Sequence, residues 1–415
     1  MNKVSVPLFS VVIPTRNRGH LLRNTISSVL SQDCSEYEII VSDNNSSDNT
    51  KEVVGFFDNS KLYYFNTGSF LKAHESWNYA CSKAVGKYIL ILGDDDYLLP
   101  GTLTQVKEVI EKRSASLIGY RIVTYNDNSI NDPTVSNTIE GGFFSGALMK
   151  LDAKKVIRTY FDFTYANGCP PHPSAIVYAR HLIDDIVASH GSFCMPPYPE
   201  ILSVPLAVAR SLCLYIIDKP LVVIGRGSNS QVTLEQTDPK KMWSNLSTEF
   251  NLTLFKGNYT TNAFAESLLR VKNLEPETFK NFNFSLYNYC CMYYENMINV
   301  EKSGKDIEED LLEFKDKLSN LQLGVYINVR KFVLRKRIHR MLIDLARSIS
   351  GFRFIRTIKS YLWKKKGNFI QGNDFGIIDI VSCAANLDRI ALELDQNPKL
   401  WSSLILAEKE GGENA

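Results

Sequence analysis

From residue 8 onward, short runs rich in β-branched and aromatic residues alternate with longer segments whose apolar positions recur at helical spacing. The strand-like runs cover residues 9–13, 38–42, 61–65, 88–92 and 116–121, and the helix-period segments cover 21–32, 49–57, 74–84 and, after Pro100, a stretch to about 112. Alternation of this kind predicts parallel strands joined by crossover helices, an α/β sheet covered on both faces. In such sheets ligands collect at the carboxyl ends of the strands, and polar residues gather there. The first strand runs into Pro14-Thr15-Arg16-Asn17-Arg18, the second into Ser42-Asp43-Asn44-Asn45, and the fourth into Gly93-Asp94-Asp95-Asp96.

A polar, turn-rich stretch at 126–137 reads as a surface loop and divides residues 1–125 from 126–230. After Ser230 the texture becomes helix-like and aromatic-rich, giving a helical region at 231–325 and a basic amphipathic helical region at 326–415. The 415 residues are 44% apolar, enough for a sizeable core. Their 47 basic and 45 acidic side chains nearly cancel, so no whole-molecule field draws in nucleic acid, and none is expected as a partner. Eight cysteines without a C-x-x-C spacing argue against a disulfide scaffold or a zinc site and read as buried thiols. The opening residues lack the pattern of a secretory signal, and no apolar run reaches membrane-spanning length, so a cytoplasmic chain is expected.

Three adjacent carboxylates at a strand end repel one another unless a cation sits among them. Asp94-Asp95-Asp96 therefore suggests Mn2+ or Mg2+, hard ions that take oxygen ligands; a solvated acidic turn that caps the next helix is the alternative. Asp43 closes the second strand, where a carboxylate can accept the imide N–H of a uracil or a ribose hydroxyl. Residues 44–50 can equally be a capping loop, and both roles are compatible.

Together, Ser10-Val11-Val12-Ile13-Pro14-Thr15-Arg16-Asn17-Arg18, Val41-Ser42-Asp43-Asn44-Asn45-Ser46-Ser47-Asp48 and the segment from Gly86-Lys87-Tyr88-Ile89 to Gly93-Asp94-Asp95-Asp96 resemble the family 2 glycosyltransferases of the GT-A fold, over about residues 8–230. The resemblance implies a Rossmann-like, mainly parallel sheet, with nucleotide sugar bound by 1–125 and acceptor by 126–230. It implies that Pro14, Thr15 and Asn17 line the base and ribose pocket, that Asp43 contacts uracil, and that Lys72 and Asn78 contact the diphosphate and the pocket. Many members carry Asp where this chain has Gly93. Aligning on Pro100 makes Asp95 the metal ligand, with Asp94 toward the ribose or sugar and Asp96 supporting the metal site.

Inverting transfer also needs a base to deprotonate the acceptor hydroxyl. The family's base lies about a hundred residues after the metal motif, which points to Glu200, at a helix start after Met195-Pro196-Pro197-Tyr198-Pro199. Asp184 and Asp185 sit within a helical pattern and read as a solvated face; His172, lacking a partner histidine, reads as structural, and Arg226 either reaches phosphate or is solvated. From 330 to 366 there are thirteen Lys or Arg and one acid, Asp344, with apolar residues at helical intervals. Such a pattern suits the surface of an anionic membrane, or is an ordinary helix with a basic outer face. Membrane contact at the inner face of the cell membrane would favour a polyprenyl-linked saccharide as acceptor. The expected function is transfer from a UDP-sugar in surface polysaccharide assembly; a degenerate scaffold and a sugar-phosphate nucleotidyltransferase are the competing readings.

Overall fold

A computed structural model describes residues 6–142, 144–164, 172–237, 239–244, 246, 250–302, 304–349, 369–387 and 390. The chain runs β1 (Phe9–Thr15), α1 (Gly19–Leu30), β2 (Tyr37–Asp43), α2 (Thr50–Gly55), β3 (Leu62–Asn66), α3 (Ala73–Lys83), β4 (Tyr88–Ile91), β5 (Tyr97–Leu98), α4 (Thr102–Arg113) and β6 (Leu117–Asn126). It continues with β7 (Thr138–Glu140), β8 (Leu148–Lys150), α5 (Ala153–Phe161), β9 (Ile176–Ala179), α6 (Arg180–His190), α7 (Pro199–Arg210) and β10 (Leu214–Arg226). The remainder is helical, α8 (Gln231–Thr237), α9 (Pro239–Ser244), α10 (Thr260–Leu274), α11 (Pro276–Phe279), α12 (Leu286–Glu301), α13 (Glu308–Ser319) and α14 (Leu323–Ile349), before β11 (Phe369–Gln371) and α15 (Ile380–Ala385).

One mixed sheet organises the molecule, with strand order β11-β7-β6-β9-β4-β1-β2-β3 and β10 beside β6. β1 pairs in parallel with β2 and β4, and β2 with β3, as the strand-helix alternation predicts. Beyond β4 the pattern changes: β9 inserts between β4 and β6 and runs against both, so the whole sheet is less parallel than expected. A four-residue strand flanked by a helix carries no signal of its direction. β10 pairs in parallel with β6, so residues on either side of the 126–137 loop share one sheet.

The period-2 alternation of the strands decides which core each side chain enters. Val11 and Ile13 of β1, Ile39 and Val41 of β2, and Leu90 of β4 face the cluster containing Leu22, Ile26 and Val29 of α1 and Leu103 and Val106 of α4. Val12, Ile40, Ile89 and Ile91 face the opposite way, into a cluster continuous with α3, α5, α6 and α7 and then with Tyr259, Leu268, Tyr289 and Tyr293 of the helical region. Residues 231–325 are therefore packed against the helices that cover the sheet. The helical expectation for 326–415 holds through α14; residues 350–368 lie outside the described residues. Beyond them β11 returns as a strand, pairing antiparallel with β7, and Ile377, Ile380, Cys383 and Ile390 bury against Val123, Tyr125, Ile139 and Val223. The seven described cysteines are unpaired thiols, six of them buried.

Candidate active site

The carboxyl ends of β1, β2 and β4 form one row of polar side chains. β1 and β2 are in register with Thr15 opposite Asp43. The Thr15 hydroxyl donates to Asp94 Oδ2 at 2.8 Å, so the row passes from Asp43 through Thr15 to the acidic turn after β4. Asp43 is buried. Its Oδ1 accepts from the Ser46 N–H at 2.8 Å, and its Oδ2 accepts from the Tyr64 hydroxyl at 2.6 Å and from Asn66 Nδ2 at 3.2 Å. Burial, and the bond to Asp43, push the Tyr64 hydroxyl up to about 12, which keeps it a donor at neutral pH. Asn17 adopts a left-handed backbone and bridges the loops after β1 and β2: its N–H donates to Ser46 Oγ and its Oδ1 accepts from the Ser47 N–H. Pro14, half-buried, precedes Thr15 in the same strand.

The acidic turn itself is tightly held. Asp96 uses both oxygens within the protein, Oδ2 accepting from the Ser174 hydroxyl at 2.5 Å and Oδ1 from the Gly225 N–H at 3.0 Å. Gly225 is required here, since a Cβ on it would lie 1.9 Å from the Asp95 carbonyl oxygen. A Cβ on Gly93 would stand 2.6 Å from Asp96 Oδ2, so a larger residue there would have to move the carboxylate that Ser174 and Gly225 hold. The Thr25 hydroxyl lies 3.0 and 2.8 Å from the carbonyls of Asp94 and Asp96 and ties the turn to α1.

Arg18 closes the row. Its Nη1 lies 3.0 Å from Asp94 Oδ1 and 3.0 Å from Asp95 Oδ2, and its Nη2 donates to the Asn229 carbonyl at 2.6 Å. Burial pushes the carboxyl of Asp95 up, Arg18 pulls it down, and its two acidic neighbours add to the rise. Burial likewise raises Asp96, against the opposing bonds from Ser174 and Gly225. Among the described residues no three His, Cys, Asp or Glu side chains converge as a ready-made metal cage. The carboxylates present would suit a hard divalent ion that draws its remaining oxygens from phosphate and water. Asp95, and Asp94 beside it, can serve that ion; the oxygens of Asp96 are engaged in holding the turn.

Several residues singled out in the sequence lie elsewhere in the network. Asn78 donates to the Cys194 carbonyl and accepts from its N–H, which places it as a clamp on the segment before α7. Lys72 Nζ donates to the Ser244 carbonyl. His172 Nδ1 accepts from the Ser174 N–H at 3.3 Å, beside the residue that holds Asp96. Arg226 pairs with Glu140 at 3.0 Å, and Asp184 and Asp185 lie exposed on α6. Glu200 opens α7, and burial pushes its carboxyl up to about 7, its own N–H opposing. Among the described residues no hydrogen bond or ion pair joins Glu200 to the Asp43–Asp95 row. Arg18, Ser174 and Gly225 stood within motifs read from the sequence, but their contacts with the acidic turn join positions 76 to 129 residues apart, and no local spacing announces them.

Residues 10–168 match the model for glycosyl transferase family 2. That stretch is similar to a family 2 glycosyltransferase domain. Over 126 residues it is 35% identical to the GalNAc(5)-diNAcBac-PP-undecaprenol beta-1,3-glucosyltransferase of Campylobacter jejuni, covering 30% of this chain and 41% of that protein. Over 123 residues it is 31% identical to the UDP-Glc:alpha-D-GlcNAc-diphosphoundecaprenol beta-1,3-glucosyltransferase WfgD of Escherichia coli, covering 30% of this chain and 49% of that protein. The chain thus spans less than half the length of these curated relatives. A solved structure of S. aureus TarS 1-349 with UDP-GlcNAc superposes with a TM-score of 0.46 at 16% identity, over 80% of this chain and 92% of that one. The family 2 match contains Thr15, Arg18, Asp43 and the whole acidic turn; Glu200 falls beyond it.

Proposed function

We propose that this chain transfers a sugar, with inversion, from a UDP-sugar to a saccharide hydroxyl on a polyprenyl diphosphate carrier in surface polysaccharide assembly. The observation that supports it is the continuous row Asp43–Thr15–Asp94–Arg18–Asp95 at the strand ends of the family 2 domain. The names of both relatives specify an undecaprenyl diphosphate-linked acceptor, and that of the E. coli protein specifies UDP-Glc, which favours the same donor and acceptor classes.

Asp43 reads the uracil: about four lone-pair sites belong to a carboxylate, and three are taken by Ser46, Tyr64 and Asn66, leaving one on Oδ1 for an imide N–H. Pro14, Thr15 and Asn17 shape the nucleoside side of the pocket, and Asp94 orients the ribose or sugar. Asp95 would hold Mn2+ or Mg2+, which would supply positive charge at the departing diphosphate. Asp96 holds the turn that presents Asp95. Glu200 takes the proton of the acceptor hydroxyl; a carboxyl raised to about 7 is matched to that task near neutral pH.

Membrane association through α14 is part of the proposal. No described helix is long and apolar enough to cross a membrane. On α14, however, Leu323, Ile327, Leu334, Ile338 and Met341 are all exposed, and their spacing places them on one stripe. Arg330, Lys331, Arg335 and Arg337 lie exposed on either side of it, whereas Lys336 and Arg340, on the inward flank, pair with Glu295 and Glu301 of α12. An apolar stripe between basic flanks is complementary to an anionic leaflet. The site would then work at the inner face of the cell membrane.

The test is a screen of UDP-, GDP- and dTDP-sugars with and without manganese, with Asp95→Ala and Glu200→Gln alongside. Slow, metal-dependent release of UDP that disappears in Asp95→Ala is the expected result. No turnover with any donor, and no nucleotide-induced rise in melting temperature, would leave the chain as a scaffold.

A further inference from the structure

The space between Asp94 and Asp95 has a cationic occupant supplied by the chain itself. Arg18 lies at the start of α1, and one of its nitrogens reaches both carboxylates while the other is fixed by the Asn229 carbonyl. The guanidinium side chain is 23% exposed and its partners are 8% and 17% exposed, so this is not a solvated surface pair. Thr15 and Thr25 hold Asp94 from the other sides, through its Oδ2 and its carbonyl. A divalent ion would bind such carboxylate oxygens at roughly 2.0–2.1 Å. Asp94 Oδ1 and Asp95 Oδ2 cannot serve it and the guanidinium at once without bringing two cations into contact.

We propose that Arg18 is the built-in counter-ion of the acidic turn and that it competes with the divalent ion for Asp94 and Asp95. A metal ion arriving alone must displace a guanidinium that then has no anion to pair with. A nucleoside diphosphate brings phosphate oxygens, which an arginine fork pairs with as well as it does with carboxylates. Release of Arg18 is therefore favourable only when metal and nucleotide arrive together. The metal binds weakly without nucleotide and tightly with it, and an acidic turn that would otherwise repel itself stays assembled between turnovers. The inference rests on the donor and metal reading above and adds the residue that couples the two ligands.

Titrating the full chain with Mn2+ alone, followed by the electron paramagnetic signal of the free ion, and again with UDP present, tests it. Wild type is expected to take up Mn2+ poorly alone and far better with UDP. Arg18→Gln should bind Mn2+ alone about tenfold to a hundredfold more tightly than wild type, the range for losing competition from charge-assisted hydrogen bonds. Its dependence on UDP should shrink accordingly. Arg18→Lys, which keeps the charge but not the fork, should fall between the two, and it decides the matter if Arg18→Gln does not fold. UDP-promoted binding in wild type with no gain in the variants alone would overturn the role of Arg18 and leave the metal reading standing. Absence of Mn2+ binding even with UDP would remove the metal reading and this inference with it.

Discussion

The side-chain amide of Asn78 on α3 closes a two-bond ring with the backbone of Cys194, donating to its carbonyl at 2.7 Å and accepting from its N–H at 2.8 Å. The ring fixes the segment that leads into α7, and so the start of the helix on which Glu200 stands. Asn78→Ala leaves two backbone groups of a buried residue without partners, at a cost of about 2–4 kcal/mol. Asn78→Asp keeps the acceptor but sets a carboxylate oxygen against the Cys194 carbonyl, and should cost at least as much. Denaturant midpoints of the three proteins check this order, and an unchanged midpoint in Asn78→Ala would show the ring to be dispensable.

Legibility of this molecule follows the range of the forces involved. β1 to β4 and their helices were readable because side-chain alternation and helical spacing are local consequences of burial, visible in runs such as Val11-Val12-Ile13 that feed opposite cores. The acidic turn was readable because adjacent carboxylates need explaining wherever they occur. The contacts of Asn78 with Cys194, of Arg18 with Asp94, and of Ser174 with Asp96 were not, since each depends on how distant elements meet. β11 was hidden for another reason: three residues carry too little pattern to stand out at the end of a long helical and basic region.

Gly225 offers a test of the packing around Asp95. A methyl group there would require a shift of the Asp95 carbonyl, 1.9 Å away, and would disturb the bond from the Gly225 N–H to Asp96. Gly225→Ala should lose the nucleotide-induced rise in melting temperature and about 1–3 kcal/mol of stability. Gly142→Ala, which meets nothing within 4 Å, is the control and should keep both. Nucleotide binding retained in Gly225→Ala would mean that the turn tolerates displacement.

The raised carboxyl of Glu200 has consequences for pH dependence. If Glu200 is the base proposed above, a pKa of about 7 makes the transfer rate rise with pH through that value, and Glu200→Gln should lower transfer by about 10²–10⁴ while sparing some donor hydrolysis. For stability the sign is opposite. Burial raises the folded pKa above the ordinary 4.5, so the folded state holds the proton more tightly. Its contribution is complete below about 4.5 and is lost as pH rises through about 7. Glu200→Gln should therefore gain on wild type between pH 5 and pH 8 in parallel melting curves, and parallel curves with no gain would show the carboxyl to be solvated.

Ile377 couples the segment after β11 to the central sheet. It is fully buried with Val123, Tyr125, Ile139 and Val223, and its carbonyl accepts from Asn137 Nδ2 at 3.0 Å. Ile377→Ala should cost about 2–4 kcal/mol, and because β6 and β10 supply that core the loss should appear in the global unfolding transition. A transition confined to the chain end, with the main midpoint unmoved, would show the segment to be an independent addition.

The exposed stripe of α14 makes the last prediction. If Leu334, Ile338 and Met341 enter the leaflet while the flanking arginines meet its headgroups, wild type should float with vesicles containing anionic phospholipid at low salt and be released as salt screens the charges. Leu334→Glu places a like charge against the anionic surface and removes apolar contact, so it should abolish flotation, while turnover on a short, water-soluble acceptor is unchanged. Replacing Arg335 and Arg337 by Gln should weaken flotation by about 1 kcal/mol for each charge. Failure of wild type to float would leave the stripe to another partner; self-association removed by Leu334→Glu would identify that partner as a second copy of the chain.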